Sequence, residues 1–281
     1  MTVLAAVDIT GALVSSAVVA AIVGGLSSFL TQRYLLQRKA QVDYEFMARK
    51  RLNEAIGPLR MQLLFSARDV VGRVRWHAGT RWNMDPSQHF ARSFIYRLLR
   101  PLAVAQLIER QMSVADFSVD PGAIALLRFS RAAERMLSGD DVVLDHPDAD
   151  WSTQSQHLFR DNLRAAAAKL VGDKGDAPVV MDYSRFQREV PDPAEDEALA
   201  DLARIFFRSG DNLTKNPLFW LRVVGYAYTC TRLIRDQGVS LGFEDVSLPA
   251  QDMLGAVDDE IVSSRASDYV ARFDRILAQG L

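Results

Sequence analysis

Residues Ile9 to Leu30 form a run of 22 residues without one charged side chain. Ten of them are Leu, Ile, Val or Phe, and the rest are Ala, Gly, Ser and Thr. As a helix rising 1.5 Å per residue the run reaches about 33 Å, enough to cross a hydrocarbon core of about 30 Å. A water-exposed helix of six turns normally carries a polar stripe, and this one has none. A cleaved signal peptide would need a positive n-region and a shorter apolar core. Here the only charged residue before the run is Asp8. The pattern therefore predicts one uncleaved transmembrane helix. Arg33, Arg38 and Lys39 follow the run, so the positive-inside rule puts the N-terminus outside and residues 31–281 in the cytoplasm.

Ala12, Ser16, Ala20, Gly24 and Ser28 recur every four residues inside the run. That spacing lines small side chains along one helix face, where a second copy of the helix can approach closely. Arg33, Arg38 and Lys39 lie within about 14 Å of the end of the run by helical rise, and are the basic residues expected to contact anionic lipid, against a screening length of about 8 Å. Residues 31–56 continue the helix as a juxtamembrane segment with apolar positions at Leu35, Val42, Phe46 and Ile56, and Gly57-Pro58 marks its end. The expected organisation is 1–30, 31–56 and a helical domain over 57–281, with 140–150 and 173–192 as candidate internal boundaries.

The punctuation after Pro58 is that of helices. Asp85-Pro86, Asp120-Pro121, Asp192-Pro193 and Asn216-Pro217 pair a capping residue with proline at the first helical position. Ser152 gives a further start, with Gly139, Gly172 and Gly238 as stops, and Pro101 should kink or split its helix. Residues 266–279 read as an amphipathic closing helix. Phe219, Trp220, Val223, Val224, Tyr226 and Tyr228 make one helix apolar nearly all round, which predicts the centre of a bundle. Val142-Val143-Leu144 and Val179-Val180-Met181 have no alternating partner and read as loop or isolated extended pieces. The fold class is all-α: one N-terminal transmembrane helix followed by a multi-helix bundle.

The single cysteine, Cys230, excludes an intramolecular disulfide and any multi-cysteine metal site. The net charge of −2 argues against a chain basic throughout, as many nucleic-acid binders are. Residues 31–100 nevertheless carry 14 Arg and Lys against 5 Asp and Glu, a net of +9, so the distal half must be acidic. That asymmetry suits a domain lying on an anionic leaflet.

Motifs of chemistry are sparse. Gly238-Val239-Ser240-Leu241-Gly242 matches the nucleophile-elbow pattern, but a helix precedes it and no histidine follows it. Asp145, His146, Asp148 and Asp150 gather ligand types for a divalent cation without the glycine and glutamate of an EF-hand. His157 and Asp161 would share a helix face. His77 and His89 border an arginine-rich loop and read as surface residues. Trp76 and Trp82 interleave with Arg73, Arg75 and Arg81, which reads as a helix end and loop packed by two indoles. No phosphate-binding glycine loop, dinucleotide fingerprint, zincin motif or kinase signature is present.

The stretch Ile56-Gly57-Pro58-Leu59-Arg60 and Leu63-Leu64-Phe65-Ser66-Ala67-Arg68-Asp69-Val70-Val71-Gly72-Arg73-Val74 is similar to a segment of uncharacterised bacterial proteins that carry one N-terminal span. Gln154-x-Gln156-His157-Leu158-Phe159 is similar in outline. The resemblance implies a helical, membrane-anchored protein and supplies no activity or site residues. The residues favour a non-enzymatic module for interaction, scaffolding or sensing at the inner membrane, with no cofactor, catalytic residue or metal assigned. The expected partners are membrane lipid, a second copy through the span and a protein, rather than nucleic acid. The alternatives are an enzyme or effector with a pocket in the bundle that no motif signals, or a phospholipid or nucleic-acid binder using the basic membrane-proximal half.

Overall fold

The computed structural model describes the backbone from Leu4 to Gln279, apart from residues 114–119, 144–145, 151, 153–154, 175–176 and 245. Side chains are described from Val23 onward, additionally leaving out Leu26 and residues 173–177. The described residues are predominantly helical. In chain order they form α1 (Leu4–Ala78), α2 (His89–Met112), α3 (Pro121–Ser138), α4 (Arg160–Ala168), β1 (Val171–Lys174), β2 (Ala177–Val180), α5 (Tyr183–Glu189), α6 (Ala200–Arg208), α7 (Pro217–Leu233), α8 (Ala250–Gly255), α9 (Glu260–Ser264) and α10 (Ala266–Ala278). The chain divides into two compact units, 1–51 and 52–281.

Within the first unit, the Ile9–Leu30 run is helical along its backbone as the opening of α1. The side chains of Ala12, Ser16 and Ala20 lie outside the described residues, while Gly24 and Ser28 are exposed. Among the described residues no helix is long and apolar enough to cross a membrane. Arg33, Arg38 and Lys39 are exposed, and so are Phe29, Leu30, Tyr34, Leu35 and Leu36.

Contrary to the boundary read at Gly57-Pro58, α1 runs through that proline. An internal proline removes a backbone hydrogen bond and costs about 3 kcal/mol. Leu52, Ile56, Leu63 and Leu64 are buried on either side of it. Each contributes roughly 1.5–3 kcal/mol through removal from water, so the stripe outweighs the break. Pro101 likewise sits inside an uninterrupted α2, flanked by buried Leu98, Leu99 and Leu102.

Two of the four proline starts hold. Asp120 caps α3 by accepting the Gly122 N–H at 2.8 Å, and Gly139 ends that helix. Asn216-Pro217 opens α7. The other two are tight turns. Asp85 accepts from the N–H and hydroxyl of Ser87, and α2 starts only at His89. Asp192 accepts from the Ala194 N–H, and α6 starts at Ala200. Ser152 bonds back to Asp150, so the helix expected from it begins at Arg160 and stops at Ala168. β1 and β2 then pair antiparallel, with Val171 opposite Val180 and Gly172 opposite Val179. The isolated extended piece at 179–181 thus has a partner, which polar Asp173 and Lys174 hid from the apolar pattern.

The core gathers on α7. Phe219, Trp220, Val223, Val224 and Tyr226 are fully buried, and α7 packs against α3, α8, α9 and α10. Gly225 permits the closest approach: a Cβ there would lie 2.8 Å from Phe273 Cε1 on α10 and 3.1 Å from Met136 Sδ on α3. Arg222, also buried on α7, donates from Nη1 to the Gly139 carbonyl at 2.7 Å, tying α7 to the end of α3. Burial lowers its pKa to about 10, with Asp141 and Asp140 opposing. Gly225→Ala is expected to cost about 1–3 kcal/mol by overpacking, despite the better helix propensity of alanine. Urea unfolding of the two proteins, compared at equal m-value, measures it.

Candidate functional site

In the 52–281 unit a cluster of charged side chains lines a cleft of about 540 Å³ between α3, α4 and the end of α10. Helical spacing puts it there. Arg128, Arg131 and Arg135 fall three and four residues apart on α3, so they share one face, and Arg160 and Arg164 do the same on α4. All five line the cleft, with Glu109 from α2 and Glu134 from α3.

Most of these charges are matched. Arg164 bridges both carboxylates, at 2.8 Å to Glu109 Oε2 and 3.1 Å to Glu134 Oε1. Arg160 lies 3.6 Å from Glu134, and the Ser130 hydroxyl donates to Glu109 at 2.6 Å. The Glu134 side chain is only 7% exposed. Desolvation therefore raises its pKa, against the Arg164, Arg160 and Arg131 guanidinium groups that hold the charge in place. Arg135 pairs with Asp141 and donates to Gln279 at 2.6 Å. Arg128 and Arg131 are exposed and make no ion pair among the described residues.

A second cavity, of about 450 Å³, lies on the α7 side of α3, and Arg128 and Leu277 line both. Its lining is more apolar, with Phe129, Leu233 and Ala278 beside Arg232, Asp236 and Asp274. It sits where α7 loosens into a π-turn over Ile234–Gly238. Such turns often mark positions where a helix gives up regularity to aim side chains. Here Asp236 and Gln237 are turned to the cavity wall, and Gln237 accepts from Arg60 at 2.8 Å.

The sites weighed from sequence fall elsewhere. Ser240 lies in a 3₁₀ turn that closes on Gly242 in the left-handed conformation (φ 86°), so the G-x-S-x-G stretch is a helix ending and not a strand-to-helix elbow. His146 and Asp148 meet Asp259 rather than Asp150, all within 4.8 Å of one another. His146 Nδ1 accepts the Asp148 N–H at 3.1 Å, so the ring proton is on Nε2, 3.2 Å from Asp259 Oδ1. Asp259 also caps α9 through the Val262 N–H. Both ring nitrogens are thus occupied by a latch between the 146–150 loop and α9. Asp145 lies outside the described residues, and Asp150 binds Ser152. His157 precedes α4 and is buried edge-on to Phe159 at 5.0 Å, so it does not share a helix face with exposed Asp161. Trp76 and Trp82 stack at 4.8 Å with Phe90 beside them, closing the end of α1. His89 is exposed, within 3.4 Å of the Tyr183 hydroxyl.

No family model matches this chain, and neither a curated protein nor a solved structure does. The cleft was missed in the sequence because charge was counted by segment. Residues 31–100 hold the net positive charge, whereas the cleft arginines sit among acidic residues later in the chain. The i, i+3, i+7 spacing of Arg128, Arg131 and Arg135 was the available signal.

His77, read as a surface residue, is 1% exposed. Its Nε2 accepts the Leu213 N–H at 3.0 Å and stitches the end of α1 to the segment before α7, beside backbone bonds from Trp82 to Asp211 and Met84 to Gly210. Burial lowers its pKa from 6.5 to about 4. A neutral His77 in the folded state means that the unfolded chain binds the proton first. Stability is therefore complete above about pH 6.5 and falls as the pH drops toward about 4, by about 3 kcal/mol in all. Gln can still accept the Leu213 N–H but does not titrate, so His77→Gln is expected to flatten this part of the curve. Urea unfolding of both proteins between pH 4 and pH 7 gives the comparison.

Proposed function

We propose that the chain is a membrane-anchored helical module that interacts with, scaffolds or senses a partner at the inner face of a bacterial membrane, without catalysing a reaction. The uncharged Ile9–Leu30 run carries this reading, because it lies in one helix with exposed Arg33, Arg38 and Lys39 directly after it. In this reading the run is a single pass with the N-terminus outside. The three basic side chains contact anionic headgroups, and residues 52–281 present their surface in the cytoplasm. The partners are lipid, a protein and a second copy of the span. A reporter fused to the C-terminus tests the topology: a cytoplasmic-active reporter should be functional and an export-dependent one silent. An externally protease-accessible C-terminus in intact cells would overturn it.

Self-association would use the small-residue face. At Gly24 an added Cβ meets nothing within 4 Å, so a bulky residue there intrudes only on a partner. Gly24→Leu is expected to weaken dimerisation several-fold in a membrane two-hybrid assay, both in the isolated span and in the full chain. Leu26→Ala, about 160° further round, should leave it unchanged. Equal behaviour of the two variants would sink the ridge.

A further inference from the structure

We propose that the α3–α4 cleft binds a phosphate monoester whose apolar body rests in the adjoining cavity over Phe129 and Leu277. The cleft lies wholly within the 52–281 unit, so this holds whether or not the chain is anchored.

The charge balance selects the head group. Arg160 and Arg164 are matched by Glu109 and Glu134, and Arg135 is matched by Asp141. Within the cleft lining Arg128 and Arg131 remain without an ion pair, two positive charges on one helix face at i, i+3 spacing, although Arg131 also acts on Glu134. Like charges at that spacing repel, and the arrangement is relieved by a counter-ion between them. A phosphate monoester carries a charge of about −1.5 to −2 at pH 7 with three acceptor oxygens, which suits two guanidinium forks. A monocarboxylate would leave one arginine unmatched. The buried Glu134 carboxylate holds Arg164 and Arg160 on the opposite wall, so that wall stays in place when a ligand enters.

The second cavity selects the body. It meets the first at Arg128 and Leu277, and its lining sets Phe129, Leu233, Leu277 and Ala278 beside Arg232, Asp236 and Asp274. A head group on Arg128 therefore puts the rest of the molecule over Phe129 and Leu277, with Arg232, Asp236 and Asp274 at the margin to bind any polar substituent. The same chemistry comes from a soluble phosphorylated metabolite or from the head of an anionic phospholipid such as phosphatidic acid.

Calorimetric titration of the full chain in detergent separates these sources. The soluble probe is phenyl phosphate, with benzoate as the monoanionic control. The lipid probe is short-chain phosphatidic acid, with short-chain phosphatidylcholine as control. Phenyl phosphate is expected to bind at least tenfold more tightly than benzoate and to raise the melting temperature. The double variant Arg128→Gln/Arg131→Gln is expected to weaken this at least tenfold, while Arg208→Gln on α6 leaves it unchanged. Because both cleft arginines are exposed and mutually repelling, the double variant should melt no lower than the parent without ligand. Binding of phosphatidic acid alone, dependent on the same two arginines, identifies the lipid as the source. The proposal is overturned if neither phosphate probe binds, if benzoate binds as well as phenyl phosphate, or if the double variant retains binding.

Discussion

Burial of α7 is the constraint on which the rest of the 52–281 unit depends. Its apolar side chains point in nearly every direction, so no single neighbour can cover them. α3, α8, α9 and α10 are all needed. The close approach at Gly225 brings Met136 and Phe273 onto the same turn, fixing α3 and α10 against one another through a shared contact. The cleft and its companion cavity both form along α3, with Arg128 lining both of them.

Arg222 and His77, both buried, are paired across the fold. Arg222 reaches the Gly139 carbonyl at the end of α3, where an unpaired helix carbonyl needs a donor. His77 accepts a backbone N–H from the segment leading into α7 and stays neutral, which avoids an uncompensated charge in the interior. Glu134 is a buried acid: desolvation raises its pKa, and Arg164 and Arg160 oppose that shift. The carboxylate thereby organises one wall of the cleft.

The legibility of the fold follows the range of the interactions involved. The start of α3 could be read because cap and proline act within four residues of one another, and that of α7 because Pro217 stands at its first position, although the Asn216 side chain turns to Ile205 and Ser209 instead of capping it. The same dipeptide signal at Asp85-Pro86 and Asp192-Pro193 produced turns. At the first, Trp82 and Met84 are already held by backbone bonds to Asp211 and Gly210, more than 100 residues away. The pairing of β1 with β2 escaped the apolar pattern because a two-stranded pairing needs only backbone groups and tolerates Asp173 and Lys174. The persistence of α1 through Pro58 could not be read either, since it depends on which side chains around the proline find a core.

By itself the sequence determined the helical class, the central place of the 217–233 helix, the closing amphipathic helix and the uncharged run before Arg33. These are set by period and composition, which act along the chain. The tertiary structure decided which charges meet. Five arginines from two helices converge on one cleft, two of them without a carboxylate partner among the described residues. His146 finds Asp259 across 113 positions, and His77 finds Leu213 across 136. Electrostatic matching depends on distances of a few ångströms between residues far apart in sequence, and those distances exist only once α7 has drawn its neighbours together.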